Sequence, residues 1–152
     1  SDVSKTFRNA VLELANKHAF ARPLVNSGRL SVPCNYCGFP LFGEDVLAGP
    51  DATAPGMPCA DAPHRDGFIL DHLGGDFTIL AIGCDAKEVA AHGLTARVVT
   101  ADAPSPELVK RYLGDTPQAV YLIRPDQHIV ARWPAFNADA IAAALKTAIG
   151  KA

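Results

Sequence analysis

The second half of the chain alternates short apolar runs with turn-forming residues, a pattern typical of a sheet that is buried on both faces. Residues 77–83 are apolar and rich in β-branched side chains, which predicts a buried strand. Residues 87–92 predict a short helix, because they are followed by Gly93, and glycine in the left-handed conformation commonly ends helices. Residues 96–101 are again apolar and β-branched, and they predict the next strand.

The last third of the chain predicts a helix, a hairpin and a covering helix. A proline pair precedes the helix predicted over residues 107–113. Two apolar runs, residues 119–123 and 128–133, flank a proline-aspartate turn and predict a β-hairpin. Asn137 then caps a final amphipathic helix. These elements predict an α/β fold with one mixed sheet flanked by helices, in the order of the thioredoxin fold.

Residues 1–58 follow a different pattern, which predicts an N-terminal helix and an extended strap. Residues 6–20 interleave charged and apolar side chains, as in an amphipathic helix and unlike the core of a signal peptide. Residues 22–57 are rich in proline and glycine and lack periodicity, so we expect a strap that lies against another surface. That surface is either the chain's own sheet or another part of a larger protein. The thioredoxin-like domain is predicted over residues 59–152.

Composition argues against several classes of function. With 152 residues, the chain is long enough for one domain and an attachment. A formal net charge of -2, without a basic run, gives no electrostatic case for binding nucleic acid or an anionic membrane. No apolar run approaches the roughly 20 residues that cross a bilayer. Four cysteines without a recognisable export signal lead us to expect the reducing cytoplasm.

Four segments distributed along the chain carry a family resemblance. They are FARPLVNSGRLS at residues 20–31, Pro55-Gly56 followed by Asp61-Ala-Pro63, LDHLGGDFTIL at residues 70–80, and LIRPD at residues 122–126. Together they resemble the C-terminal part of FAD-dependent aromatic-ring hydroxylases, the flavoprotein monooxygenases related to phenol hydroxylase and 3-(3-hydroxyphenyl)propionate hydroxylase. The resemblance spans nearly the whole chain.

The resemblance implies a thioredoxin-like domain without redox duty, which serves packing and subunit contact. It implies that FAD and NAD(P)H are cofactors of a larger enzyme, and that the FAD and substrate domains of that enzyme are partners of this one. A homo-oligomer is a further implied partner. No catalytic residue carries over to this chain. The sequence also lacks the Gly-x-Gly-x-x-Gly fingerprint of a dinucleotide site, so we expect it not to bind FAD alone.

The cysteines suggest a rival function, that of a free-standing thiol enzyme. Redox-active thioredoxins carry Cys-x-x-Cys between the first strand and the next helix, whose N-terminus lowers the thiol pKa. Cys34 and Cys37 have this spacing but lie in the strap, far upstream of such a strand. Cys84 stands at the expected place, just after residues 77–83, but lacks a second cysteine three residues on. Cys84 is therefore the candidate catalytic thiol of a thioredoxin-like or peroxiredoxin-like enzyme, against the alternative of a free thiol without a role.

A second rival function is that of a zinc-stabilised interaction module. Cys34, Cys37, Cys59 and His64 supply three thiolates and one imidazole, which is a ligand set of tetrahedral zinc sites. The spacing of Cys59 and His64 does not match the second half of a zinc knuckle. We expect reduced thiols without metal, and the zinc site stays an alternative.

Pro117 is a structural candidate that precedes the predicted hairpin. The proline at this place in thioredoxin-like folds is commonly cis, so the resemblance implies a cis bond between Thr116 and Pro117. Its expected role is to lock the turn at the entrance of the strand.

Overall fold

The computed structural model describes residues 2–21 and 33–151, and the chain divides into two compact units, Ser1–Pro33 and Cys34–Ala152. The first unit contains helix α1 (Asp2–Lys17) and a short 3₁₀ helix (Ala19–Ala21). Helix α1 confirms the predicted N-terminal helix, and none of its residues is buried. Within the described residues, no helix is long and apolar enough to cross a membrane.

The second unit is built on a five-stranded mixed sheet and a separate two-stranded hairpin. In chain order, the strands are β1 (Pro63–His64), β2 (Gly67–Phe68), β3 (Thr78–Ile82), β4 (Val89–Ala91), β5 (Leu94–Ala101), β6 (Ala119–Ile123) and β7 (Ile129–Trp133). Strands β1 and β2 pair with each other, and the large sheet has the order β4-β5-β3-β6-β7. Strand β3 is parallel to β5, and the other pairs are antiparallel.

Two helices cover the two faces of the large sheet. Helix α2 begins at Pro106–Leu108 and continues as a π-helical turn over Val109–Leu113, and helix α3 spans Ala138–Ala148. Side chains of α2 share one apolar cluster with alternate residues of β3 and β6, and side chains of α3 share a second cluster with the residues between them. Every position of β3, β6 and β7 is buried, as expected for strands of a sheet that is covered on both faces, and most of these positions are apolar. The α/β fold with a mixed sheet flanked by helices is confirmed.

The helix predicted over residues 87–92 is wrong, because this segment contains strand β4. Val89 pairs with Ala96 and Ala91 pairs with Leu94, so β4 and β5 form a tight hairpin. Its two-residue turn is His92-Gly93, with φ of 52° and 79°, the left-handed values that such turns require. Gly93 thus closes a hairpin and does not end a helix. A segment of six residues is stabilised more by backbone hydrogen bonds to β5 than by an isolated helical turn, since the first turn of a helix is costly to form.

The expected cis bond before Pro117 is also wrong, since every peptide bond within the described residues is trans. Thr116 closes the turn before the proline by donating from its backbone N and its Oγ1 to the Leu113 carbonyl, at 3.1 and 2.7 Å. The trans form is the intrinsically favoured one for a bond before proline, by about 0.5–1 kcal/mol.

The described part of the strap lies along β7, the last strand of the sheet. The backbone N of Gly43 donates to the Val130 carbonyl at 2.8 Å, and that of Gly56 donates to the Ile129 carbonyl at 2.8 Å. Ile129 in turn donates to the Met57 carbonyl at 3.0 Å. From residue 34 onward the strap therefore packs on the chain's own sheet, which was one of the two expected surfaces. Residues 22–32 lie outside the described residues.

Candidate functional site

The Cys34-x-x-Cys37 pair lies at the start of the described strap, where both cysteines are exposed and free. Cys37 donates from its Sγ to the Pro55 carbonyl at 3.1 Å, and its backbone N donates to Asn35 Oδ1 at 2.8 Å. The Cys34 carbonyl contacts His128 Nε2 at 2.9 Å. These hydrogen bonds fix the segment against the turn before β7. They place the pair at a loop that has no helix N-terminus to activate a thiol.

Cys84 follows β3, as predicted, but its surroundings do not activate it. Its side chain is half-buried, and its Sγ donates weakly to the Ala119 carbonyl at 3.8 Å. Burial raises the pKa of the Cys84 thiol, and only a backbone hydrogen bond at Ile82 acts in the opposite direction. Because a loop and β4 follow β3, no helix dipole favours the thiolate. The geometry is that of an unreactive, partly buried thiol.

Cys59 and His64 lie inside the fold. Burial raises the pKa of Cys59 to about 12, so the group stays a thiol at neutral pH. His64 packs edge-on against the ring of His72, with centroids 5.1 Å apart, and burial lowers its pKa. Across residues 2–21 and 33–151, no group of three or more His, Cys, Asp or Glu side chains could hold a metal ion. The structure therefore does not bring the four candidate zinc ligands together.

The strongest polar feature of the second unit is an ion pair that the sequence did not reveal. Arg132 lies in the middle of β7 and is 1% exposed. Its Nε and Nη2 donate to the two carboxylate oxygens of Asp45 in the strap, at 2.6 and 2.5 Å. The carbonyls of Gly49 and Pro50 accept further hydrogen bonds from the same guanidinium, at 3.2 and 2.7 Å. We call this arrangement the strap clamp.

A chain of buried hydroxyl groups extends the strap clamp toward helix α2. Thr53 Oγ1 lies 3.4 Å from Arg132 Nη1 and 3.4 Å from the Tyr121 hydroxyl. Tyr121 donates to the Tyr112 carbonyl, and Tyr112 donates to the Ala60 carbonyl at 2.6 Å. Burial raises the pKa of both tyrosines, so both phenols stay protonated hydrogen-bond donors. The network connects strap, sheet and helix.

A glycine in the left-handed conformation lies where the two arms of the strap contact each other. Gly56 has a φ of 88°, and a Cβ added to it would lie 2.5 Å from the backbone N of Cys37. The backbone N of Tyr36 donates to the Gly56 carbonyl at 2.9 Å. Only a residue without a side chain permits this approach.

The outer side of the strap presents apolar surface. Phe39 and Val46 expose 56% and 54% of their surface, and a groove of about 390 Å³ lies beside Phe39. Phe42 also lines the groove, with the Arg124 guanidinium 5.5 Å from the centre of its ring. Such surface next to polar residues is typical of contact sites. We call the exposed residues of this segment, Tyr36, Phe39 and Val46, the strap surface.

The described residues do not fit FAD. A dinucleotide site needs a glycine-rich turn that leads from a strand into a helix, whose N-terminus faces the pyrophosphate. Here β3 leads through Gly83 into a loop and then β4. The first turn of α2 is occupied by its own cap, since Leu108 N donates to Ser105 Oγ at 3.2 Å. The described residues therefore offer no dinucleotide site of this kind.

The chain matches no protein-family model and no curated protein by sequence. It is similar to solved structures of RebC, a rebeccamycin biosynthetic enzyme. The form with reduced flavin gives a TM-score of 0.58 at 18% identity, and the substrate-free form gives 0.59 at 18% identity. Both comparisons cover 100% of this chain.

The chain has the fold of a part of RebC. A structure described as native and K252c-bound RebC-10x gives a TM-score of 0.60 at 19% identity and covers 98% of this chain. Each of these three comparisons covers only 29% of the RebC chain. At such low identity the similarity to RebC shows the fold alone.

Proposed function

We propose that the chain is a non-catalytic, thioredoxin-like domain of a FAD-dependent aromatic hydroxylase. Its task there is to pack against the FAD and substrate domains and to contribute a subunit contact. The observation that carries this proposal is the comparison with RebC, where the whole chain corresponds to 29% of an enzyme solved with reduced flavin. FAD and NAD(P)H belong to the larger enzyme, which we place in the cytoplasm.

Two structural features support a covering role. The buried Arg132 guanidinium and the buried hydroxyl chain beside it bind other parts of the fold. The apolar residues of α1 and the strap surface are instead exposed, as expected for surfaces that meet a partner. A domain built for packing has this distribution.

Experiments on the purified chain test the proposal that the domain is non-catalytic. We expect a colourless protein that does not change its absorbance or melting temperature on titration with FAD. Native-state thiol titration is expected to detect Cys34 and Cys37 first, because Cys84 and Cys59 are shielded by burial. Peroxide consumption is expected to be equal in the wild type and in Cys84→Ser.

Two results would contradict the proposal that the domain is non-catalytic. Stoichiometric yellow flavin would show that the described fold binds FAD in a way that the fingerprint does not reveal. Rapid peroxide consumption that disappears in Cys84→Ser would identify a thiol peroxidase. Stoichiometric zinc, detected by elemental analysis, would favour the interaction module.

Sedimentation of the chain at increasing concentration tests the subunit contact. We expect reversible self-association that Phe39→Asp and Val46→Asp weaken, since each places a charge on the strap surface. Glu44→Gln is the matched control, because Glu44 is exposed in the same segment. A chain that stays monomeric at every concentration contradicts the subunit contact and leaves packing as the proposed role.

A further inference from the structure

A cleft at one end of the sheet holds a charged side chain that has no carboxylate partner among the described residues. The cleft lies where β3 and β5 begin and has a volume of about 430 Å³. Its walls come from the loop before β3, the hairpin between β4 and β5, and the turn after β6. This end of the sheet is opposite the end at which Cys84 lies. A volume of several hundred Å³ is in the range of small-molecule sites.

Arg97 supplies the charge of this cleft. Its Nη2 donates to the carbonyls of His72 and Gly74, at 2.7 and 3.4 Å, and these bonds hold the guanidinium in place. Its Nε is buried without a hydrogen-bond partner. Within the described residues, Arg97 forms no ion pair with a carboxylate. Arg97 is only half-buried and lines the cleft, so the accessible part of its fixed guanidinium can bind an anion, because a planar guanidinium matches a carboxylate.

The apolar residues of the cleft indicate which chemical group accompanies the negative charge of the ligand. Phe77, Leu94 and Pro125 line the same cleft and provide apolar surface beside the guanidinium. Gly75 and Gly93 border open space, since a Cβ added to either would meet no atom within 4 Å. The cleft therefore has room for a hydrocarbon body next to the charged group.

Asp76 limits the charge of a ligand. It is exposed, lines the cleft and is not paired with Arg97. Its carboxylate repels a dianion more strongly than a monoanion, so the cleft discriminates against phosphate. The preferred ligand has one negative charge.

We propose that this cleft binds a small organic monocarboxylate with an apolar body. The carboxylate pairs with the Arg97 guanidinium, and the apolar body lies against Phe77, Leu94 and Pro125. The site is independent of the proposed function, since it requires only the second unit of the chain.

Titration of the full chain with benzoate, acetate and inorganic phosphate tests this proposal, with binding followed by calorimetry and backbone NMR shifts. Benzoate has the charge and the apolar body, acetate lacks the body, and phosphate lacks both the body and the single charge. We expect benzoate to bind at least about tenfold more tightly than either of the others, with shifts confined to the cleft.

Substitutions then assign the binding to its residues. Arg97→Gln is expected to weaken benzoate binding at least about tenfold, since a charge-assisted pair is lost. Arg111→Gln is the matched control, because Arg111 is an exposed arginine outside the cleft, and it should leave binding unchanged. Asp76→Asn removes the repelling charge and is expected to tighten binding about two- to fivefold.

Thr95→Trp keeps the test valid if Arg97→Gln does not fold. Thr95 is an exposed strand residue of the cleft wall, so an indole there fills the cleft and leaves the bonds of Arg97 intact. We expect it to abolish benzoate binding. The proposal is overturned if benzoate does not bind at 10 mM, which corresponds to an affinity of about 2.7 kcal/mol, if phosphate binds equally well, or if benzoate binding survives Thr95→Trp.

Discussion

Arg132 brings a positive charge into the middle of an apolar strand, and its partners explain how the charge is tolerated. A buried ion costs several kcal/mol unless it is paired and hydrogen-bonded. Here a carboxylate binds the guanidinium through two oxygens, and two backbone carbonyls and the Thr53 hydroxyl accept its other hydrogen bonds. The hydrogen bonds from Arg132 also hold the pKa of the Asp45 carboxyl below its usual range.

Asp45→Asn is expected to lower the free energy of unfolding by about 2–4 kcal/mol, because it leaves the buried guanidinium without its counter-charge. Urea denaturation measures this loss, and Glu44→Gln is the control, with an expected change within about 0.5 kcal/mol. A loss of similar size in both variants would contradict a specific role of the strap clamp.

The same pair sets a pH dependence. Because the pKa of Asp45 is lower in the folded chain than its usual 3.8, its contribution is present above that value and is lost as the pH falls through the folded pKa. The wild type should therefore lose more stability than Asp45→Asn on acidification below about pH 4.

The sequence could have signalled this residue only in part. An arginine inside the apolar run of residues 128–133 indicates a buried cation or an exposed edge, and a buried cation requires an acidic partner. Nothing local selects Asp45 among the 16 acidic residues of the chain, since the pair is 87 positions apart. The sequence does not single out Arg97 either, because the acceptors of its hydrogen bonds are backbone carbonyls of a distant loop.

Among the elements, the strap depends most on a single backbone geometry. Gly56 lies where two arms of the strap cross, with a left-handed φ and no space for a side chain. Gly38, in the same segment, has a φ of 80° but no atom within 4 Å of an added Cβ. A side chain would therefore be strained by the backbone conformation at both positions, but it would collide with other atoms only at position 56.

Gly56→Ala is expected to cost at least about 3 kcal/mol of unfolding free energy, and Gly38→Ala about 1–2 kcal/mol. The difference comes from the collision with the backbone of Cys37, which cannot move like a flexible side chain. Chemical denaturation of both variants measures it. Equal losses would show that the strap arms separate easily.

The sequence predicted helices and strands correctly where a single pattern of apolar and polar residues dominated the segment. The apolar runs that became β3 and β6 contain no charged residue and are buried along their whole length, which agrees with their interpretation as buried strands. Residues 87–92 form a short segment in which polar and apolar residues are mixed. The glycine that follows, Gly93, is compatible with both a helix end and a hairpin turn. Pairing with β5 decided between the two, and that contact is visible only in the folded chain.

For the whole molecule, the extent of the second unit is the property with the clearest test. It begins at Cys34, which is 25 residues before the boundary predicted at residue 59. The intervening strap supplies Asp45, the buried Leu47 and Thr53 to the rest of this unit. The strap therefore belongs to its fold.

A chain trimmed to residues 34–152 is expected to unfold in one cooperative transition, within a few degrees of the full chain. A chain trimmed to residues 59–152 should lose both the strap clamp and the buried strap residues, and its melting temperature should fall by more than about 10 °C. Calorimetry on both trimmed chains distinguishes these outcomes. Equal melting temperatures would show that the strap does not contribute to the stability of the second unit.

The position of the strap along β7 also has a consequence for how copies of this domain can meet. An open strand edge is a template on which further strands can stack into fibrils. The strap occupies that template on β7 with its own backbone, whereas the opposite edge of the sheet is β4, a strand of three residues. The hydrogen bonds of the strap thus make the β7 edge unavailable as a template for amyloid-like growth, and a second copy that approached this flank would have to be recognised through side chains.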